Sequence, residues 1–429
     1  MSARTLAEWL GYLEQLHPSA IDMGLDRSRE VALRLGLGRP APRVVTVTGT
    51  NGKGSTCAFL AELLAAQGLS VGVYSSPHLL RYNERVVIRG EQASDEQLCE
   101  AFAAVEAARG EISLTYFEMG TLAAFWLFER AQLDAVVLEV GLGGRLDAVN
   151  LIDADIAVVT SIGLDHADWL GDTRDSVAFE KAGIFRAGKP AVCGDLEPPA
   201  VLLEQARNLG APLTLRGRDF DLAFAECSWH WQGQGADGQH LELHDLPRLE
   251  LPMENAALAL QAYALTGLAW EPPALADALV RTRVTGRLDR RTLLWNGQPR
   301  HLLLDVGHNP HAAQYLSRRL AERPPKGRRL AAFGLLADKD LDGVLEPLLG
   351  LVQDWAVSAL PTPRSRGAEE LEAVLAARGA SVHRHADFAR ALEAQCNQAT
   401  ADDEILVFGS FYSVAEALEW LAAEGHPAQ

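Results

Sequence analysis

The sequence predicts an α/β protein: a mainly parallel sheet carrying a phosphate-binding P-loop, then a second, smaller Rossmann-like α/β domain. Three observations predict it. Short runs rich in Val, Ile and Ala recur with helical segments between them, and strands alternating with helices make a parallel sheet covered on both faces. The first run empties into the glycine-rich stretch Gly49-Thr50-Asn51-Gly52-Lys53-Gly54-Ser55. The βα rhythm breaks near residue 213 and restarts beyond residue 285, which sets domains at 1–285 and 286–429.

Each element follows from its residues. Residues 44–47, 71–74, 135–140, 156–160 and 191–193 are short, apolar runs of the kind that form buried strands. Residues 213–251 alternate and carry turn formers, Trp229, Trp231 and several glycines, and predict short antiparallel strands at the sheet edge. Helical patterns follow at about 254–267 and 273–283. Strands at 301–306, 329–333, 353–357, 381–383 and 405–408 then build the second domain.

Composition narrows the function classes. The 429 residues are 48% apolar without a long uninterrupted apolar run, as expected of a soluble globular protein. Residues 1–9 read as an amphipathic helix and lack a secretory core, so a cytoplasmic location is expected. Five cysteines without C-x-x-C spacing suggest neither a zinc site nor a disulfide framework. A formal net charge of −18 argues against nucleic acid or an anionic membrane as partner. If the ligand is a polyphosphate, local cations must recruit it, and Lys53, Arg81, Arg85, Arg145 and Arg287 lie in or beside the motifs.

The glycine-rich stretch reads as a nucleotide phosphate cradle. Its backbone N–H groups can face one concavity, Lys53 supplies a point charge, and Ser55 opens a helix with its positive end toward the phosphates. The common spacing places the hydroxyl residue directly after the lysine, whereas Gly54 intervenes here. Other chemical residues also fall at strand ends, where open α/β sheets bind ligands. Ser75-Ser76-Pro77-His78 follows the second strand, Glu139 ends the third and His166 follows the fourth.

Duller readings stand beside these. Glu139 ends an apolar strand and is either a ligand for Mg²⁺ or half of a buried salt bridge to Arg145. His166 is a metal ligand, a general base or a packing residue. Lys181, in Phe179-Glu180-Lys181-Ala182-Gly183, would by itself be a solvated helix lysine. Asp305 ends a strand of the second domain, placed for a ribose or an adenine amine, and His308 and Asn309 open the next helix, Asn309 also as a plain N-cap.

Together the segments resemble the folylpolyglutamate synthase/dihydrofolate synthase family, a branch of the Mur-type ATP-dependent amide ligases. The resemblance runs from Ile21-Asp22-Met23-Gly24-Leu25 to Gly409-Ser410-Phe411. It rests on T-G-T-N-G-K-G-S, S-S-P-H-L-L-R-Y-N-E-R, L-E-V-G-L-G-G-R-L-D-A, L-D-H-A-D-W-L-G, E-K-A-G-I and D-V-G-H-N-P-H, and the inserted Gly54 is characteristic of this class. It implies a Mur-ligase-type fold in both domains. ATP would be held by Thr50, Asn51, Gly52, Lys53, Gly54, Ser55, Asn255, Arg287 and Asp305. Ser76 and Glu139 would bind one Mg²⁺ and His166 a second, beside a monovalent cation. Lys53, Lys181, His166 and His308 would be catalytic, Lys181 as a carbamate. The acceptor would contact Ile21, Asp22, Met23, Gly24, Arg81, Thr115, Tyr116, Phe117, Glu118, Leu146, Asp147, Ala148 and Ser410. Small departures, Gly307 and Tyr412-Ser413, remove no reactive group.

The expected reaction is attack of a pterin-bearing carboxylate on the γ-phosphate of ATP, then displacement of phosphate by the amine of L-glutamate, with closure of the small domain. His308 would orient glutamate. Partners are ATP, L-glutamate, 7,8-dihydropteroate and reduced folates, with neither nucleic acid nor membrane, and a monomer is expected. The bifunctional form is favoured over a folylpolyglutamate synthase alone. A cell-wall Mur ligase would need a UDP-binding domain, and only 48 residues precede Gly49. A P-loop switch protein would leave Glu139, His166 and Lys181 without a common purpose.

Overall fold

The computed structural model of the chain describes residues 4–424, divided between Arg283 and Val284 into two compact units. Unit 1 contains strands β1 (Arg43–Thr48), β2 (Val71–Tyr74), β3 (Val86–Ile88), β4 (Glu91–Gln92), β5 (Ala135–Glu139), β6 (Ile156–Val159), β7 (Ala191–Cys193) and β8 (Leu213–Leu215). They form one sheet in the order β4-β3-β2-β5-β1-β6-β7-β8. All neighbours from β2 to β8 pair in parallel, and only the β2-β3-β4 edge is antiparallel.

β1 lies at the centre because its side chains suit burial on both faces: Val44, Val45 and Val47 are at most 2% exposed, each worth about 1.5–3 kcal/mol relative to exposure. From β1 the chain goes to one side for β2 and β5, then to the other for β6 and β7. The crevice beyond the carboxyl ends of β1, β5 and β6 is therefore a topological switch point, where such sheets bind ligands. Helices Lys53–Ala65 and Tyr116–Ala131 bury long apolar faces in this unit. The N-terminal helix runs Leu6–Leu13 from a Thr5–Glu8 capping box; residues 1–3 of the stretch expected to be helical lie outside the described residues.

Two expectations about strands change. Residues 213–251 do not simply lengthen the sheet edge. β8 joins the main sheet in parallel, while β9 (Asp221–Phe224), β10 (Ser228–Gln234) and β11 (His240–Pro247) form a separate antiparallel sheet. The cause is burial: Trp229 and Trp231 are fully enclosed, and Trp231 donates to the Ala257 carbonyl in helix Met253–Ala264 at 3.0 Å. These strands thus pack on a helix. The antiparallel edge of the main sheet is instead made by β3 and β4, of three and two residues, too short to show a period.

Unit 2 is a six-stranded sheet of β12 (Asp289–Trp295), β13 (Gln298–Asp305), β14 (Arg329–Phe333), β15 (Asp354–Val357), β16 (Val382–Arg384) and β17 (Glu404–Phe408), ordered β12-β13-β17-β14-β15-β16. The sequence reading missed β12, which is antiparallel to β13. Its signal was the Asn296-Gly297 turn, with φ of 51° and 75°, the pair of positive values a tight hairpin requires. Phe333, Trp355 and Phe408 fill the core, with the Phe333 and Phe408 rings 4.7 Å apart. No described helix is long and apolar enough to cross a membrane.

Candidate active site

The phosphate loop is held open by its neighbours. Gly52 has φ +88°, and a Cβ there would stand 2.6 Å from Asn255 Oδ1, so conformation and space both require glycine. The Asn255 amide, at the start of helix Met253–Ala264, therefore lies against the loop. Thr50 N–H donates to the Ser161 carbonyl at 2.9 Å, and Asn51 N–H donates to Ser161 Oγ at 3.1 Å. Thr160 Oγ1 donates to the Asn51 carbonyl at 2.6 Å. These braces from the end of β6 escaped sequence reasoning, although Thr160-Ser161 stands at a strand end. Lys53 opens helix Lys53–Ala65 and donates Nζ to the Gly49 and Thr50 carbonyls at 2.9 and 3.3 Å.

Glu139, at the end of β5, is 5% exposed and accepts from Ser76 N–H at 3.3 Å. The expected alternative, a salt bridge to Arg145, is absent, because Arg145 donates Nε and Nη2 to Glu180 at 3.1 and 2.8 Å. Across from Glu139 stands Gly54, where a Cβ would lie 3.8 and 3.9 Å from the two carboxylate oxygens. Glycine keeps that space open. Among the described residues no group of three His, Cys, Asp or Glu could hold a metal. One carboxylate, with Ser76 bound to it through its backbone N–H, and open space suit Mg²⁺, which keeps several waters and takes its remaining ligands from substrate phosphates; they would not suit zinc.

Beyond β6, His166 has φ 53° and caps the short helix Ala167–Leu170. Its side chain is 49% exposed with Nε2 3.9 Å from Asp165, so it is not a packing residue. Lys181 is the larger surprise. It sits on helix Arg174–Ala182 but is 2% exposed, because Gly144 lets the loop after β5 approach until a Cβ would be 3.3 Å from Lys181 Cα. Burial above all, then the Lys53 charge, lowers its pKa from 10.5 to about 7, against the pull of Asp165 and Asp147. Asp147 is buried too, and desolvation raises its pKa to about 6 although it accepts from Leu142 and Val149 N–H at 2.9 Å each.

The expected acceptor residues of unit 1 gather nearby. Thr115 and Glu118 form the capping box of helix Tyr116–Ala131. The Phe117 ring lies where a Cβ on Gly141 would meet it at 2.6 Å, and Met23 approaches Gly143 similarly at 3.6 Å. Leu146 precedes the Asp147-capped turn Ala148–Leu151. Arg27, missed in the sequence, ties Asp22 to buried Glu118, at 2.7 and 3.1 Å. Ile21 and Gly24 flank Asp22 and Met23 on that loop, away from regular structure. Arg81 is turned to the surface, where Nη2 donates to Asp95 at 2.8 Å.

In unit 2, buried Asp305 ends β13 and accepts from Leu288 and Gly307 N–H at 3.0 and 2.8 Å. Burial raises its pKa, opposed first by Arg287. His308 Nδ1 lies 2.8 Å from the Val306 carbonyl, so Nδ1 carries the proton. Asn309 is the N-cap of helix Pro310–Glu322. Ser410, an N-cap as well, precedes Phe411, whose ring lies 6.1 Å from His308 and 5.4 Å from the Arg287 guanidinium.

Residues 47–193 match the Mur ligase middle domain, and residues 286–411 match the glutamate ligase domain of Mur ligases. The chain is 47% identical over 422 residues to the dihydrofolate synthase/folylpolyglutamate synthase of Escherichia coli (strain K12), covering 98% of this chain and 97% of that one. Its Haemophilus influenzae counterpart is 43% identical over 427 residues, 96% of each chain. A solved structure of E. coli FolC in complex with DHPP and ADP is 46% identical and matches with a TM-score of 0.92 over 99% of both chains. A bifunctional folylpolyglutamate synthase/dihydrofolate synthase with Mn, AMPPNP and L-glutamate bound is 44% identical, with a TM-score of 0.88 over 98% of both chains.

Proposed function

Because the chain belongs to the dihydrofolate synthase/folylpolyglutamate synthase family of Mur-type ligases, we propose the following roles for its residues in that family's reaction. The protein is an ATP-dependent amide ligase that adds L-glutamate to dihydropteroate and to reduced folates. A carboxylate oxygen of the acceptor attacks the γ-phosphorus, ADP leaves, and an acyl phosphate remains. The amine of glutamate then attacks the acyl carbon, gives up a proton, and expels phosphate.

In this reading the chain supplies position and charge. Backbone N–H groups of Gly52, Lys53, Gly54 and Ser55 cradle the phosphates, on a loop braced through Thr50 and Asn51, and Lys53 leaves the Gly49 and Thr50 carbonyls to meet the γ-phosphoryl group. Ser76 and Glu139 hold one Mg²⁺ and His166 a second. When bound, the metal would offset the negative charge of the phosphates. Asn255 contacts the nucleotide beside the loop. Asp22, Met23, Phe117 and Leu146-Asp147-Ala148 shape the acceptor pocket. In unit 2, Arg287 and Asp305 bind nucleotide, and His308 orients glutamate.

With its pKa lowered to about 7, Lys181 offers a share of the neutral amine that carbamate formation needs. A neutral amine attacks CO₂, an N–C bond forms, a proton leaves the nitrogen, and the product is an anion that supports the metal instead of repelling it. Free cysteines and ATP as cosubstrate suit a protein working in the cytoplasm.

The observation that carries this reading is buried Glu139 facing the phosphate loop across the space Gly54 leaves open. Purified protein given ATP, Mg²⁺ and glutamate should release phosphate with dihydropteroate and make dihydrofolate; tetrahydrofolate should gain a glutamate in the same assay. Turnover of tetrahydrofolate alone would reduce the protein to a folylpolyglutamate synthase, and turnover of neither would end the reading.

A further inference from the structure

We propose that Arg85 is the carboxylate-binding residue of unit 1, the cation that grips the acid group of the acceptor. The inference rests on the ligase reading above. Arg85 ends the single turn Tyr82–Arg85 and is 9% exposed. Its Nε donates to His78 Nδ1 at 2.8 Å, which makes His78 a neutral acceptor at that atom. Its guanidinium carbon lies 5.3 Å from the ring centroid of Tyr82 and 5.5 Å from that of Tyr116.

This charge has two aromatic faces and a neutral imidazole but no carboxylate partner among the described residues. Its terminal nitrogens make no hydrogen bond there, yet neither is sealed from solvent. A nearly buried cation without a counter-ion is costly, and aromatic faces offset only part of that cost. Acids on adjoining segments are already committed. Glu84 accepts from the N–H groups of Leu79, Leu80 and Arg81 at 2.7, 2.8 and 2.8 Å. Asp95 takes Arg81 and Asn83 at 2.8 Å each, and Glu118 takes Arg27, Ser28 and Thr115.

Position identifies the missing anion. The Arg85 carbonyl accepts from Ser75 N–H at 3.0 Å, next to Ser76, and Tyr116 belongs to the acceptor segment. A guanidinium whose two terminal nitrogens are both free matches a carboxylate in a paired geometry. Both acceptors carry one: the aryl carboxylate that becomes the amide in dihydropteroate, and the glutamate carboxylates of a folate. Arg81, the cation nearer the eye in the sequence, is spent on Asp95.

Steady-state kinetics of Arg85→Gln and Arg85→Lys test this, with melting curves alongside. Loss of a charge-assisted pair should raise the acceptor KM about ten- to a hundred-fold in Arg85→Gln. Arg85→Lys should recover part of it, and KM for ATP and for glutamate should stay within about twofold. A rise for both acceptors assigns the reacting carboxylate; a rise for tetrahydrofolate alone assigns the tail. An unchanged acceptor KM in a folded variant overturns the proposal, as does an equal rise for ATP. Should the variants fail to fold, the wild-type protein, free of nucleotide and metal, should bind dihydropteroate, or tetrahydrofolate, at least about tenfold more tightly than the corresponding carboxamide; equal binding in both comparisons overturns the proposal. Wild-type protein inactive with both acceptors would instead refute the ligase reading.

Discussion

Lys181 shows most plainly what a single residue's surroundings decide. Its sequence neighbours describe an ordinary helix lysine, and nothing in residues 179–183 announces burial. That comes from Gly144, far away in sequence, whose missing side chain lets a loop close over the helix. We expect Lys181→Ala to remove nearly all ligation, by at least about a hundredfold in kcat, with partial recovery when short carboxylates are added. Full activity would show the lysine to be ordinary. The pKa also sets a stability signature in CO₂-free buffer. An amine near 7 when folded and 10.5 when unfolded means that the unfolded chain binds the extra proton between those values. Stability therefore rises with pH from about 7 to about 10.5, and below that window the penalty is constant. Denaturant unfolding of wild type and Lys181→Met should diverge across it; parallel curves would contradict the depressed pKa.

At the scale of elements, the strand-loop-helix unit from β1 to Ala65 was legible because an apolar run, a glycine-rich turn and a helix follow one another without interruption. Gly54, the residue that breaks the common spacing, has a specific use: it stands in the first turn of the helix, facing Glu139. Gly54→Ala should fold at least as well as wild type, since the added Cβ finds ordinary contacts and alanine favours helix by about 0.5–1 kcal/mol. The methyl group would intrude on the metal space, so the Mg²⁺ concentration for half-maximal turnover should rise at least about tenfold. Normal Mg²⁺ dependence would remove Glu139 and Gly54 from the metal site. Gly52→Ala, by contrast, should lower both stability and ATP binding, because φ +88° and the Asn255 contact exclude a side chain. Elements that were not legible share a cause: β3 and β4 are too short for a period, and β12 is too polar to look buried.

For the whole molecule, an acidic chain binds anions only because it concentrates cations at strand ends. The net charge of −18 says nothing of this; Lys53 and Arg85 do. Strand ends also explain why much of the site could be read early. β1, β5 and β6 were recognisable, and the residues after them fall in one crevice. What the sequence withheld were partners distant along the chain, such as Ser161 for Asn51, Arg27 for Glu118 and Phe411 for His308. The reaction proposed above turns on one chemical event, the transfer of an acceptor oxygen to phosphorus. The most direct test follows dihydropteroate whose carboxylate carries heavy oxygen through one round with ATP, Mg²⁺ and glutamate. One labelled oxygen should appear in the phosphate released, in step with each dihydrofolate formed. Ligation with unlabelled phosphate, or phosphate release without ligation, would contradict activation of the carboxylate as an acyl phosphate.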